Sequence, residues 1–260
     1  MTPFSFTHAI VRTPGQSVVH GLRDDPSRTP NYAKVLEEHA AYVAALRAAG
    51  VAVDRLDPLE EFPDSIFVED PALVFANGAI LLRPGAPSRE GEREPMRAAL
   101  ARHFSTILEL KPHEYADGGD VLTTPDMVLI GLSKRTTAAG AEALAAHIAA
   151  LGRRALLAET PRGVLHFKTA VSLLDEATLL ATPAMAASGA LPKLGIVVTP
   201  AGEEAAANAL RVNDRVLVGA HFPRTIDLLT ARGYRVVPLP TAEIAKLDAG
   251  LSCMSLRWHA

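Results

Sequence analysis

NYAKVLEEHAAYVAALRAAGVAVDRL, residues 31–56, contains the unit from which the rest of the chain is built. Val35, Leu36, His39, Tyr42, Val43 and Leu46 recur at three- and four-residue spacing, the period of one helical face. Gly50 is a natural helix stop, and VAVDRL then reads as a strand. The same order returns in EPMRAALARHF before STILEL and in AAGAEALAAHIAALG before RALLAE. It returns twice more, in AGEEAAANAL before DRVLVGA and in PRTIDLLTARG before YRVVPLP. Between the helices lie apolar runs expected to pair as strands. In ALVFANGAILLRP, residues 72–84, Asn77-Gly78 is the dipeptide favoured in a two-residue hairpin turn. Several strands for each of five helices predict an α/β ring of similar units and not a doubly wound sheet. No G-x-G-x-x-G stands at a strand-to-helix turn, which argues against a dinucleotide-binding fold. With no Pro- or Ser-rich linker, residues 1–260 are expected to form a single domain.

The formal net charge is -3 and Lys and Arg form no run, so the clustered positive charge that nucleic acid requires is missing. The opening MTPFSFTHAIVRTPG lacks a basic start followed by an apolar core and does not read as a signal peptide. No apolar stretch approaches the ~20 residues that span a bilayer. A soluble, cytoplasmic protein is therefore expected, without nucleic-acid or membrane partners. Cys253 is the only cysteine, which rules out an internal disulfide and a cysteine-rich metal site. By itself such a residue is either a small buried apolar group or a nucleophile.

Five segments between the helices carry the chemistry. In FPDSIFVED, residues 62–70, Asp64 and Asp70 flank an apolar stretch with Glu69 beside the second. If this segment enters a strand, equal parity turns both aspartates to one side, where carboxylates suit a planar cation. The alternative is a solvated acidic loop. In YADGGDVL, residues 115–122, Gly118-Gly119 permits a tight turn with positive φ that fixes Asp117 and Asp120 before a strand. A carboxylate there could orient a histidine, or simply be solvated. Arg83 and Arg89 in LLRPGAPSRE and Arg135 in GLSKRTTAAG follow predicted strands and suit an α-carboxylate. His166 opens the β-like run GVLHFKTAVSLL, whereas His39, His103 and His147 lie in or at the ends of helices and read as structural. Cys253 lies in AGLSCMSLRW, after the turn Leu247-Asp248-Ala249-Gly250. Cysteine, histidine and aspartate far apart in sequence can form nucleophile, base and orienting group in any chain order.

Taken together, PDSIFVED, RPGAPSR, DGGDVL, GLSKRT, LHFKTAV and GLSCMSL resemble the dimethylarginine dimethylaminohydrolases, one branch of the guanidino-group-modifying enzymes. The six segments stand in the family's order and spread from residue 63 to 256. The resemblance implies a five-bladed β/α propeller, the pentein fold, of five ββαβ-like repeats. It implies Cys253 as nucleophile, His166 as general acid and base, and Asp117 as the residue that orients it. It assigns Asp70 to the guanidinium, Asp64 to the α-amino group, and Arg89 with Arg135 to the α-carboxylate. Leu22 matches a mobile loop residue over the pocket, and Glu69 and Leu247 complete the substrate-binding set. Phe167 and Thr137 depart from the usual pattern, which has Leu and Asn there. The implied reaction turns Nω-methylated L-arginine, dimethylated or monomethylated, into L-citrulline and an amine through a covalent Cys253 adduct. It needs no cofactor and no metal. The alternatives are a deiminase of arginine or another guanidine, and a pentein that only binds. A homodimer is compatible with the sequence.

Overall fold

The recurring helix-and-strand order folds as five three-stranded sheets arranged as a ring. The structure, a computed structural model, describes residues 2–260. In chain order, β1 (His8–Arg12), α1 (Tyr32–Ala48) and β2 (Ala52–Leu56) come first, with β1 and β2 parallel. Next come β3 (Ala72–Phe75), β4 (Gly78–Leu81), α2 (Arg93–Leu100) and β5 (Ile107–Glu109). The third group is β6 (Val121–Thr123), β7 (Val128–Leu132), α3 (Ala138–Ala150) and β8 (Ala155–Glu159). The fourth is β9 (Val171–Asp175), β10 (Thr178–Ala181), α4 (Pro183–Ala187) and β11 (Gly195–Val198). The fifth is β12 (Leu210–Val212), β13 (Arg215–Gly219), α5 (Pro223–Ala231) and β14 (Val236–Leu239), followed by β15 (Leu256–Trp258). In each unit an inner strand turns antiparallel into a middle strand, a helix crosses over, and the third strand returns parallel to the middle one. β15 supplies the inner strand of the unit that begins with β1, pairing antiparallel with it. This is the five-bladed β/α propeller of the pentein fold.

Burial follows from these positions. The middle strands are covered on both faces and read as continuous apolar runs, GAIL in β4 and VLIGL in β7. The third strands lie outermost, and β8 keeps only one of its five residues buried. The helices lay one face on the ring: Val35, Tyr42 and Leu46 of α1 join a core with Ile66, Leu247 and Cys253. No helix is long and apolar enough to cross a membrane among the described residues.

Three local expectations are corrected. AGEEAAANAL is not a helix of the ring but a short 3-10 turn, Glu204–Ala207; the fourth unit's helix is α4, upstream. Helix propensity loses to tertiary contacts here, because Glu203 accepts hydrogen bonds from the nitrogen of Thr225 at 2.7 Å and of Arg224 at 3.1 Å, capping α5. FPDSIFVED does not enter a strand at Asp64. It is a succession of turns, with the Phe67 nitrogen bonded to the Asp64 carbonyl at 2.9 Å, so parity does not apply. Finally, neither Gly118 nor Gly119 has positive φ. They are needed for close approach: a Cβ on Gly118 would stand 2.0 Å from the Glu69 carbonyl oxygen.

Candidate active site

Each inner strand is preceded by an irregular segment that reaches towards the axis of the ring, and these segments carry the chemical groups. Asp64, Glu69 and Asp70 precede β3, Asp117 and Asp120 precede β6, His166 precedes β9, Asn208 precedes β12 and Cys253 precedes β15. The segments are tied to one another around the ring. The Glu69 nitrogen donates to the Cys253 carbonyl at 3.2 Å, and the Gly118 nitrogen to the Asp70 carbonyl at 3.2 Å. The Phe167 nitrogen donates to Asp120 Oδ1 at 2.8 Å, and the Ser252 nitrogen to Asn208 Oδ1 at 3.2 Å. Residues nearly two hundred positions apart are thereby fixed as one constellation.

His166 Nε2 lies 2.9 Å from Asp117 Oδ2, and both side chains are buried. The other Asp117 oxygen accepts from the Gly85 nitrogen at 2.7 Å, which fixes the carboxylate plane. Burial disfavours a charged imidazole, but Asp70, Asp117 and Asp120 outweigh it and raise the His166 pKa to about 9. At neutral pH the histidine is an imidazolium. Asp120 is itself held by the hydroxyls of Ser133 at 2.6 Å and Thr136 at 2.7 Å.

Cys253 lies buried on the 3-10 turn Ser252–Met254. Burial, then the charges of Glu69 and Asp70, push its thiol up to about 11. The resting thiol is therefore protonated. Asn208 Nδ2 faces the sulfur at 3.9 Å, the long reach of an N–H to sulfur contact.

Asp70 accepts from the Gly119 nitrogen at 3.0 Å and is paired with Arg89. Burial opposes its charge, yet Arg89 and His166 hold it below the usual carboxylate range. Arg89 is fully engaged: Nε and Nη2 grip Glu92 at 2.9 and 2.8 Å, Nη1 meets Asp70, and Nη2 also reaches the Phe67 carbonyl at 2.9 Å. Arg135 differs, being half-buried and without a salt bridge to any described residue, although its charge acts on Asp64. Its turn is set by a close approach, since a Cβ on Gly85 would stand 2.3 Å from the Arg135 carbonyl oxygen. Asp64 accepts from the Leu22 nitrogen at 2.9 Å, and burial raises its pKa. Leu247 is buried close by, so that a Cβ on Gly21 would meet both Asp64 and Leu247. Glu69 faces Lys168 at 2.5 Å, Arg257 at 3.1 Å and the Ser252 hydroxyl at 3.1 Å. Arg83 lies apart from the site residues, bonded to Glu90 and to the Lys111 carbonyl.

The three histidines in or beside helices α1, α2 and α3 have structural surroundings. His39 is buried, and burial lowers its pKa to about 4. His103 bonds Asp54 at 2.8 Å, and His147 bonds the Glu109 carbonyl at 3.0 Å. Asp70, Asp117 and His166 could each present one ligand atom within 4.8 Å of the others. In this structure the three groups are turned to one another and to hydrogen-bond donors: Asp117 holds His166 and the Gly85 nitrogen, and Asp70 holds the Gly119 nitrogen and Arg89. What remains is a buried, acceptor-rich cluster with a thiol and an imidazolium, and an arginine without a salt bridge near Asp64, an arrangement suited to a cation that also carries a carboxylate.

The family model for arginine deiminase matches residues 57–202. The N(G),N(G)-dimethylarginine dimethylaminohydrolase of Pseudomonas aeruginosa is 40% identical over 256 residues, 97% of this chain and 100% of that protein. The chain belongs to the dimethylarginine dimethylaminohydrolase family. Its relative of that name in Streptomyces coelicolor is 34% identical over 251 residues, 96% of each chain. A solved structure of the Pseudomonas aeruginosa enzyme, a cysteine-to-serine variant complexed with citrulline, superimposes with a TM-score of 0.94 at 38% identity. It covers 98% of this chain and 100% of that one.

Within the family frame, both departures find a structural place. Thr137 caps α3 by accepting from the Gly140 nitrogen at 3.1 Å, a role open to threonine as to asparagine. Phe167 is fully buried in the core between β6, β9 and α4. Sequence reasoning missed Asn208, Glu92 and Lys168. Asn208 is hidden in an alanine-rich run, and Glu92 and Lys168 look like ordinary surface charges until the fold buries their partners.

Proposed function

We propose that this protein hydrolyses Nω-methylated L-arginine, asymmetric dimethylarginine and monomethylarginine, to L-citrulline and dimethylamine or methylamine. The observation that carries the reading is the His166–Asp117 pair beside Asp70, with Cys253 on the adjoining turn. The membership of the family supports it. In this reading Asp70 and Asp117 take the guanidinium, Asp64 with the Leu22 and Leu247 loops takes the α-amino group, and Arg135 takes the α-carboxylate. Arg89 joins that clamp by relaxing one of its carbonyl contacts.

A resting thiol near 11 needs help to ionise. The bound guanidinium is a cation in a site of low dielectric, so it favours the thiolate and the thiol proton leaves to solvent. The sulfur then attacks the guanidinium carbon, His166 gives its proton to the departing amine, and a covalent S-amidino adduct remains. Neutral His166 next takes a proton from water, whose oxygen forms the new C–O bond. Collapse expels the thiolate and leaves the ureido group of citrulline. Every step uses groups of this chain, the substrate and water. A cytoplasmic location suits an unpaired nucleophilic thiol.

The test is direct: purified protein is incubated separately with dimethylarginine, monomethylarginine and arginine, and citrulline and amine are quantified. Dimethylamine and methylamine are expected from the first two, with arginine much slower. Ammonia from arginine as the dominant product would move the protein to the deiminases. No citrulline from any of the three would leave a different guanidine or a binding role.

A further inference from the structure

Beyond the Glu69 bridge, a second cavity of about 210 Å³ lies along the axis of the ring. Leu73, Val121, Val171, Leu210 and Trp258, one from each inner strand, contribute to its wall. None of Cys253, His166, Asp117 or Asp70 lines it. The active-site groups precede the inner strands, whereas this wall is made by the strands themselves. Glu69, Lys168 and Ser252 stand between the two spaces, each within two residues of a catalytic or binding group.

The charge of this wall is lopsided. Glu69 is the sole acid among the described residues that line it, against Arg153, Lys168, Arg211 and Arg257. Lys168 and Arg257 share the Glu69 carboxylate. Arg153 and Arg211 have no carboxylate partner among the described residues; their guanidinium groups rest over the rings of Phe75 and Phe4, at 5.4 and 5.1 Å. Ser172 on β9 also contributes to the wall. Excess positive charge and aromatic rings lining one partly open cavity describe a receptor for an anion with an apolar body.

We propose that this cavity is a second binding site, taking a small aromatic or branched carboxylate. The carboxylate meets the positive charge of Arg153 and Arg211, and the apolar part lies against Phe4, Phe6 and Trp258.

Trp258 is the only tryptophan of the chain, so its emission reports on this cavity directly. The native protein is titrated with benzoate, with benzamide as the uncharged counterpart, and with inorganic phosphate. Benzoate should change Trp258 emission saturably, at least tenfold more tightly than benzamide or phosphate, and more weakly in high salt. Protein alkylated at Cys253 should bind benzoate as well as the unmodified protein does, whichever guanidine the active site takes. An Arg153→Gln/Arg211→Gln variant should lose at least tenfold in benzoate affinity while forming citrulline within twofold of the native rate. Absence of saturable binding, loss of binding on alkylation, or benzamide or phosphate binding as tightly as benzoate would each overturn the proposal. So would unchanged affinity in a folded double variant; should that variant not fold, the titrations of native and alkylated protein decide.

Discussion

Arg89 and Arg135 carry the same charge, yet their replacement should have different consequences. Arg89→Ala strips the partner from Asp70 and Glu92, both buried, and breaking a buried pair costs about 3–5 kcal/mol. Arg135→Ala leaves no described carboxylate unpaired, so stability should stay within about 0.5 kcal/mol. Its effect should be a KM raised about ten- to a hundredfold, the worth of a charged hydrogen bond of roughly 1.5–3 kcal/mol. Denaturant melts of the two variants beside steady-state kinetics make the comparison. Equal stability would remove Arg89 from its scaffolding role. Agmatine, which lacks the carboxylate, should be a poor substrate. Cys253→Ser should fold normally and release no citrulline, because a hydroxyl is far less nucleophilic at neutral pH; wild-type turnover by that variant would sink the mechanism. The pH profile is also fixed in form. With His166 near 9 below Cys253 near 11, the reactive thiolate–imidazolium form grows as pH rises to about 9 and levels off. kcat/KM should climb through neutrality and flatten there, and Asp117→Asn should move that bend to lower pH. A bend near 6.5 in the native protein would mean that His166 rests neutral. At this scale most of the site was legible in the sequence, because Cys253, His166, Asp117 and Asp70 stand in recognisable motifs. The engagement of Arg89 was not, since nothing in RPGAPSR shows that Glu92 is buried.

Among the elements, the segments leading into the inner strands hold the narrowest tolerances. Gly118→Ala places a Cβ 2.0 Å from the Glu69 carbonyl oxygen, where backbone stands and cannot give way cheaply. The turn should shift, separating Asp117 from His166, with a loss of about 1–3 kcal/mol and most of the activity. Thermal unfolding and citrulline release measure the two effects, and a variant as stable and active as native protein would show that the turn has slack. Asn208→Ala should be milder for stability but should slow formation of the covalent adduct. It removes both the acceptor for the Ser252 nitrogen and a side-chain N–H that faces the sulfur. Rapid-quench trapping of the adduct would show this, and an unchanged rate would leave Asn208 a purely structural role. The elements that periodicity identified are those with long amphipathic faces or a turn dipeptide, such as α1, α3 and the Asn77-Gly78 hairpin. Those it missed are short. α4 has five residues, too few to display a period, and the alanine-rich run before β12 has helical composition but is held in a 3-10 turn by the groups it caps.

Across the whole molecule, the ring closes where β15 pairs with β1. Trp258 of β15 stacks on His8 with centroids 5.5 Å apart and packs against Phe104 at 5.0 Å. Trp258→Ala should cost about 3–5 kcal/mol and, because this strand joins the first and last parts of the chain, should lower a single unfolding transition. Far-ultraviolet circular dichroism in denaturant records it. Two separated transitions would mean that the blades melt independently. The ring was legible because one unit recurs five times; which strand completes the first blade was not, since closure depends on pairing between distant segments. That closure also sets an order of events during synthesis. A chain emerging from the ribosome presents its aspartates, arginines and histidine well before its thiol, and it can hold no covalent chemistry until the last inner strand locks in. In the proposed mechanism, completion of the ring and arming of the enzyme are then one step.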